Sequence, residues 1–282
     1  MDNDPCTTAN QPWEGIAANA RRLWSHFRGS SVWRLLRRVN FLRSSVYLAM
    51  ELCRTARDAK CLSREIIDRE FRLHDDPFHY RTSPGEVLRF AQQTGLLDSA
   101  RRGAPFQRAL EIGCTEGVFT EVIAERSQSL MVFDISPTAL AKTRERRTWG
   151  EFVQFQEWDL RSDGVPGTFD LIVAAGVLEY LQKPREFRMV RAKLVGAVSP
   201  GGYLLVQSTK VNPVIENAWW GKYLIRGERI NRFFREDEAL RVVDWLVGEI
   251  YVISLFQKVL NPQATRQSST RPKRREHGAA SV

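Results

Sequence analysis

The residues from Ala109 to Thr120 read Ala-Leu-Glu-Ile-Gly-Cys-Thr-Glu-Gly-Val-Phe-Thr. A buried-strand run with an embedded acid leads into two glycines four positions apart, and a helix is predicted to start near Phe119. A turn of this kind presents main chain to a ligand at the carboxyl end of a strand. Gly113 turns the chain sharply off the sheet, and Gly117 allows close approach of backbone without a Cβ in the way. Asp134 ends the next apolar run, 17 residues past Gly117, where a carboxylate can accept hydrogen bonds from two ribose hydroxyls. Asp159 closes a third run. It is placed to receive the exocyclic amine of adenine, with Trp158 or Leu160 packing on the ring. Together these positions predict an adenosine-like ligand.

The loop does not advertise a pyrophosphate. A dinucleotide turn carries a further glycine where Thr115 stands, and puts the diphosphate on the helix N-terminus. Glu111 and Glu116 instead place negative charge beside the turn, which repels phosphate and suits an ammonium and a sulfonium. That contrast favours S-adenosylmethionine over NAD. Cys114 reads as a small side chain fitting a crowded turn, without thiol chemistry.

The elements that must hold these residues follow from texture. Residues 1–74 have apolar side chains at three- and four-residue spacing with arginines between them, predicting an N-terminal helical extension. Residues 75–258 alternate strand-length apolar runs with helical stretches, predicting a parallel sheet wrapped on both faces by helices. Strands are expected at Ala109–Ile112, Leu130–Phe133, Phe152–Phe155, Phe169–Val173, Tyr203–Val206, Leu240–Val243 and Ile250–Leu255. Too little chain separates the last two for a crossover helix, so they should pair as an antiparallel hairpin at one edge. The fold class is therefore α/β: a Rossmann-like, doubly wound seven-stranded sheet with a terminal hairpin. Residues 259–282 are polar and basic, predicting a disordered tail.

Lys and Arg number 42 against 33 Asp and Glu, a formal charge of +9. The excess lies mostly in arginines of the first 75 residues and in the tail. Scattered arginine is usually a solvated face; an anionic membrane surface touched by the N-terminal helices is the alternative. Four cysteines, with no two at metal or redox spacing, predict reduced thiols, no metal and a cytoplasmic setting. The start of the chain lacks a basic-then-apolar run, which predicts no secretory signal.

With the glycine turn, Phe133-Asp134-Ile135-Ser136-Pro137, Trp158-Asp159-Leu160, Phe169-Asp170-Leu171-Ile172-Val173, Leu178-Glu179-Tyr180-Leu181 and Ser199-Pro200-Gly201-Gly202-Tyr203-Leu204 on the page, the chain resembles the class I S-adenosylmethionine-dependent methyltransferases. Within the class it is most similar to the nodulation-protein-S-like branch. The segment from Asp76 to Ser83 and the pattern Glu111-x-Gly113-Cys114-x-x-Gly117-x-x-Thr120 carry that likeness. The resemblance implies cofactor contacts from Glu111, Gly113, Cys114, Gly117, Asp134, Ile135, Asp159, Leu160 and Ala175. It implies that His79 and Tyr80 fold over the methionine end of the cofactor, and that Glu179 stands near the acceptor; these three are the catalytic candidates. Gly176 and Tyr180 depart from the class, which often has an acid and a His there.

The branch prototype methylates a freed amine on a chitin-like oligosaccharide. The resemblance thus implies a small acceptor, an amine of an amino sugar or of a sugar-derived natural-product intermediate. Trp219, Trp220, Tyr223 and Arg226, between the fifth strand and the hairpin, read equally as an acceptor wall and as side chains packed on the sheet. O-methylation of a small molecule and a non-catalytic cofactor-binding subunit are the alternatives. Ala174-Ala175-Gly176-Val177 stands where base-amine methyltransferases place a Pro-Pro-aromatic tetrad, arguing against nucleic acid. No oligomeric state follows from the sequence.

Overall fold

The computed structural model describes residues 64–181, 183–210, 227–260 and 275–276. The expected helices before residue 64, the aromatic segment 219–226 and most of the tail lie outside the described residues.

Seven strands form where the apolar runs place them: β1 (Ala109–Ile112), β2 (Leu130–Asp134), β3 (Val153–Glu157), β4 (Phe169–Ala175), β5 (Val198–Thr209), β6 (Leu240–Val247) and β7 (Tyr251–Lys258). The sheet runs β3-β2-β1-β4-β5-β7-β6 and then to one more strand, β8 (Arg275–Glu276). β1 to β5 are parallel, and β7 enters antiparallel between β5 and β6. The hairpin is thus the expected one, with a bulge between Val242 and Asp244. β8 is an addition: two residues of the segment expected to be disordered pair in parallel with Leu246 and Val247. An edge strand offers unpaired N–H and C=O groups that any backbone can meet, so apolar content gives no warning of such pairing.

Helices α1 (Arg64–Leu73), α2 (Pro84–Arg101), α3 (Val118–Ala124), α4 (Pro137–Glu145), α5 (Pro184–Ala197) and α6 (Glu228–Arg235) accompany the sheet. β1 is buried at all four positions and β4 at most of its length, as expected for central strands covered on both faces. One core gathers Ile112, Phe133, Ile172, Leu204 and Phe256 with α5 and α6; the other gathers Leu97, Ile123, Val132, Leu171 and Leu255 with α2 and α3. Among the described residues no helix is long and apolar enough to cross a membrane.

α1 is placed by a charge. Asp68, only 2% exposed, accepts from Ser136 Oγ at 2.7 Å and Thr138 N at 2.9 Å, and pairs with Arg72. Ser136 is itself the N-cap of α4, accepting from Ala139 N at 3.0 Å, so two capping groups are stacked on one helix start. Burial alone would raise the Asp68 carboxyl. The hydrogen bonds from Ser136 and Thr138 outweigh it and bring the pKa down to about 2.

Candidate functional site

At the carboxyl ends of the parallel strands a cleft encloses about 810 Å³ of empty space, its open mouth included. Its floor is the set of turns leaving β1 to β4: Gly113 and Thr115, then Asp134 and Ile135, then Trp158 to Arg161, then Ala175 to Val177. Ile67 and Phe71 of α1, with Phe78 and Tyr80, close it from above. Phe71 and Phe78 meet edge-on at 5.7 Å, and Phe78 meets Tyr80 at 5.6 Å. A second, much smaller chamber adjoins it, sharing Tyr80, Ile112, Gly113, Thr115 and Ala175 and adding Arg89, Glu111 and Cys114.

Gly113 lies at φ 82°, and a Cβ there would come within 2.2 Å of Val177 Cγ1. The β1 and β4 turns can touch only because this residue has no side chain. Thr115, in the place of a further glycine, is held at φ 53°. Its amide donates to Asp134 Oδ2 at 3.1 Å, and Ser136 N donates to Oδ1 at 2.9 Å. Asp134 is 6% exposed yet lines the cleft; burial pushes its carboxyl up to about 6 despite those donors. A hydroxyl pair arriving from the cleft would add donors to an acceptor that burial leaves under-solvated.

The expected cofactor residues divide. Gly113, Asp134, Ile135, Asp159, Leu160 and Ala175 line the cleft, while Glu111 and Cys114 line the smaller chamber. Asp159 is already engaged: Arg161 grips it through Nε at 3.0 Å and a terminal nitrogen at 2.8 Å. Burial raises its carboxyl, but the Arg161 hydrogen bonds prevail and hold it below the ordinary value. Gly117 lines neither space. A Cβ on it would meet Thr143 Cγ2 at 2.7 Å, so the packing of α3 on α4 by itself demands a glycine there. Burial, followed by the Asp134 and Glu111 charges, drives the Cys114 thiol far up, which leaves it a packing group.

Of the catalytic candidates, only Tyr80 reaches the site. Its hydroxyl lies 3.6 Å from the point a Cβ on Gly176 would occupy, and burial raises the phenol, keeping it neutral. His79 is exposed at φ 58° in the turn before α2, where its carbonyl accepts from Thr82 N and Ser83 N; it lines neither space. Glu179 points along the turn after β4 to accept from Thr209 Oγ1 at 2.9 Å, and its neighbour Tyr180 lines the cleft instead. Glu116, argued from sequence to colour the loop with charge, also lines neither space.

Arg89 was missed. It is 3% exposed, fixed by Glu86 at 2.6 Å and Gln207 Oε1 at 3.2 Å, with its guanidinium 5.0 Å from the Tyr80 ring centre. Its signal was a charged residue inside the apolar stretch Val87-Leu88-Arg89-Phe90 of a helix. Across the same chamber Glu111, also 3% exposed, has an oxygen with no hydrogen-bond partner, and burial pushes it up to about 8. Among the described residues there is no group of His, Cys, Asp and Glu suited to a metal.

This strand order, with a glycine turn after β1, an acid ending β2 and a cleft above the strand ends, defines a class I S-adenosylmethionine-dependent methyltransferase. The particular family follows from the chain itself: the family model Nodulation protein S (NodS) matches residues 39–262, and the chain belongs to that family. It is 37% identical over 146 residues to Nodulation protein S of Rhizobium tropici, an alignment covering 52% of this chain and 60% of that relative. With Nodulation protein S of Sinorhizobium fredii (strain NBRC 101917 / NGR234) it shares 31% over 166 residues, covering 57% and 76%. Among solved structures it is similar to N-methyltransferase NodS from Bradyrhizobium japonicum WM9 in complex with S-adenosyl-l-homocysteine. That likeness has a TM-score of 0.59 at 27% identity and covers 69% of this chain and 97% of the other. S-adenosylmethionine is the cofactor of the class.

Proposed function

We propose that the protein moves the methyl group of S-adenosylmethionine to an amine of a small acceptor, an amino sugar or a sugar-derived natural-product intermediate. The observation that carries this reading is the end of β4, where Gly176 places no ionisable side chain beside the cleft; the smaller chamber, lined by a buried guanidinium and a buried carboxyl, supports the cofactor half of it. Arg89 and Glu111 suit the carboxylate and ammonium of an amino-acid end, as Asp134 suits the ribose and Ile135 and Leu160 the flat base. An ammonium beside Glu111 would stabilise its ionised form and satisfy its orphaned oxygen. When bound, S-adenosylmethionine supplies an electrophilic methyl on a sulfonium; the chain's work is alignment and exclusion of water.

Gly176 leaves the end of β4 without an ionisable side chain; the polar groups closest to it are Gln207 Oε1, an amide oxygen, and the Tyr80 hydroxyl, whose phenol burial keeps neutral. A hydroxyl acceptor needs a base to take its proton, whereas an amine need only be presented unprotonated. That difference supports N-methylation, as does the similarity to a NodS N-methyltransferase. The cytoplasm, where a reduced Cys114 would persist, is the setting proposed. Incubation with methyl-labelled cofactor and a panel of amino sugars, partly deacetylated chito-oligosaccharides, phenols and oligonucleotides tests the reading. Label is expected on an amine; label on phenols alone would overturn it.

A further inference from the structure

The turn after β3 is held by its own main chain and by two neighbouring side chains. Trp158 Nε1 donates to the Gly164 carbonyl at 3.1 Å, and Lys193 of α5 donates to the carbonyls of Arg161 at 3.1 Å and Asp163 at 2.8 Å. The Asp159 carbonyl accepts from Ser162 N and Asp163 N, and Asp159 N donates to Asp163 Oδ2 at 2.7 Å. None of these bonds uses the Arg161 guanidinium, which reaches back two positions to the Asp159 carboxylate. Both residues line the cleft, with side chains 28% exposed for Asp159 and 36% for Arg161. An ionised carboxylate offers two lone-pair positions on each oxygen. Oδ1 fills both of its own, taking Arg161 N at 2.8 Å and Nε at 3.0 Å. Among the described residues Oδ2 takes only Arg161 Nη2, at 2.8 Å, and keeps one position open.

We propose that Arg161 is a positioning residue for the base: its fork locks the Asp159 carboxylate so that the one acceptor position left, on Oδ2, receives the 6-amino group of adenine. This deepens the functional reading above and rests on its placement of the flat base, not on the acceptor. Two parallel bonds from a planar guanidinium fix the plane of a carboxylate as well as its place, whereas an unpaired one in a partly exposed turn is free to swing toward water. Burial acts to raise the Asp159 carboxyl and the Arg161 hydrogen bonds overcome it, so the open position belongs to a charged oxygen. Such an oxygen can accept from an amine and can donate nothing, which makes the locked pair selective for a base that carries N–H at this edge. Because Trp158 and Lys193 hold the turn without the guanidinium, truncating Arg161 leaves the backbone in place and releases only the carboxylate.

Calorimetry on the full chain, comparing S-adenosylhomocysteine with its purine analogue that lacks the 6-amino group, reads the lock. The native protein is expected to bind the adenine ligand about tenfold more tightly than the purine one. Asp159→Ala should abolish that preference. Arg161→Ala should cut it to about threefold or less although the Asp159 carboxylate is still present. Adding Arg161→Ala to Asp159→Ala should leave the preference unchanged, because the guanidinium acts through the carboxylate. A side chain that only walls the cleft would instead weaken both ligands alike and keep their ratio. An Arg161→Ala preference equal to or above the native one, or a double variant that differs from Asp159→Ala, would overturn the proposal. So would a native protein that binds both ligands equally, and the functional reading would survive each of these results. A native protein that binds neither ligand would remove the functional reading, and the placement of the base with it.

Discussion

The floor of the cleft takes its shape from backbone: Gly113 brings the β1 turn onto Val177, Thr115 holds a left-handed conformation, and the main-chain amides of Thr115 and Ser136 fix Asp134. Its surround is held differently. α1 is docked through the Asp68 carboxylate, the wall of the inner chamber through the Arg89 guanidinium, and the turn bearing Tyr80 through Asp76. Geometry set by main chain fails abruptly when a side chain is added. Geometry set by buried charge fails by degrees and with pH. The two parts should therefore answer mutation in distinct ways.

The largest effect is expected on the floor. Gly113→Ala must both adopt an unfavourable φ and displace Val177, costing about 3 kcal/mol of stability, and should weaken cofactor binding about 100-fold or more. Chemical denaturation and calorimetry would show both. Asp134→Ala, which removes charged acceptors without adding bulk, should cost about 1.5–3 kcal/mol of cofactor affinity, or on the order of 10–100-fold. Native-like affinity in that variant would break the assignment of the ribose to the floor.

The surround should respond more gently. Asp68→Asn is expected to lose about 2 kcal/mol of folding stability at neutral pH, since hydrogen bonds to a buried charge are lost. The Asp68 pKa is lowered on folding, so its contribution is present above the ordinary 3.8 and vanishes as pH falls through about 2. Native and variant unfolding curves should accordingly converge in strong acid. Arg89→Gln should weaken binding of S-adenosylhomocysteine about tenfold, while 5′-methylthioadenosine, which lacks the amino-acid end, binds both proteins alike. Equal losses for the two ligands would mean that Arg89 only shapes the wall. The smallest change is expected for His79→Gly: turnover within about twofold, and a gain of about 0.5 kcal/mol because glycine suits φ 58°. A large fall in turnover would return His79 to the chemistry.

How far each part could be read from sequence follows the same division. Gly113, Thr115 and Asp134 lie within one strand–turn–helix–strand passage, where a glycine or a strand-ending acid has a local meaning. So do the strands, because central parallel strands must be apolar on both faces. Asp68 reaches Ser136 across 68 positions and Arg89 reaches Gln207 across 118, and no local pattern announces such partners. At Gly117 the spacing announces a glycine, while the atom that a Cβ there would meet belongs to Thr143 of α4, which no local pattern shows. Glu179 and His79 have residue types suited to catalysis, but what they meet is set by turns that sequence does not show: Glu179 accepts from Thr209 Oγ1 beyond β4, and His79 is exposed in the Asp76 turn.

Ile67 and Phe71 belong at once to α1 and to the wall of the cleft, while Asp68 between them docks that helix on α4. Whatever a bound ligand gains from those two side chains, the docking equilibrium of α1 gains from the ligand, because linkage is reciprocal. Tight ligands should thus protect a helix that touches no catalytic group, and anything that pulls α1 from its seat should act as an inhibitor without occupying the cleft.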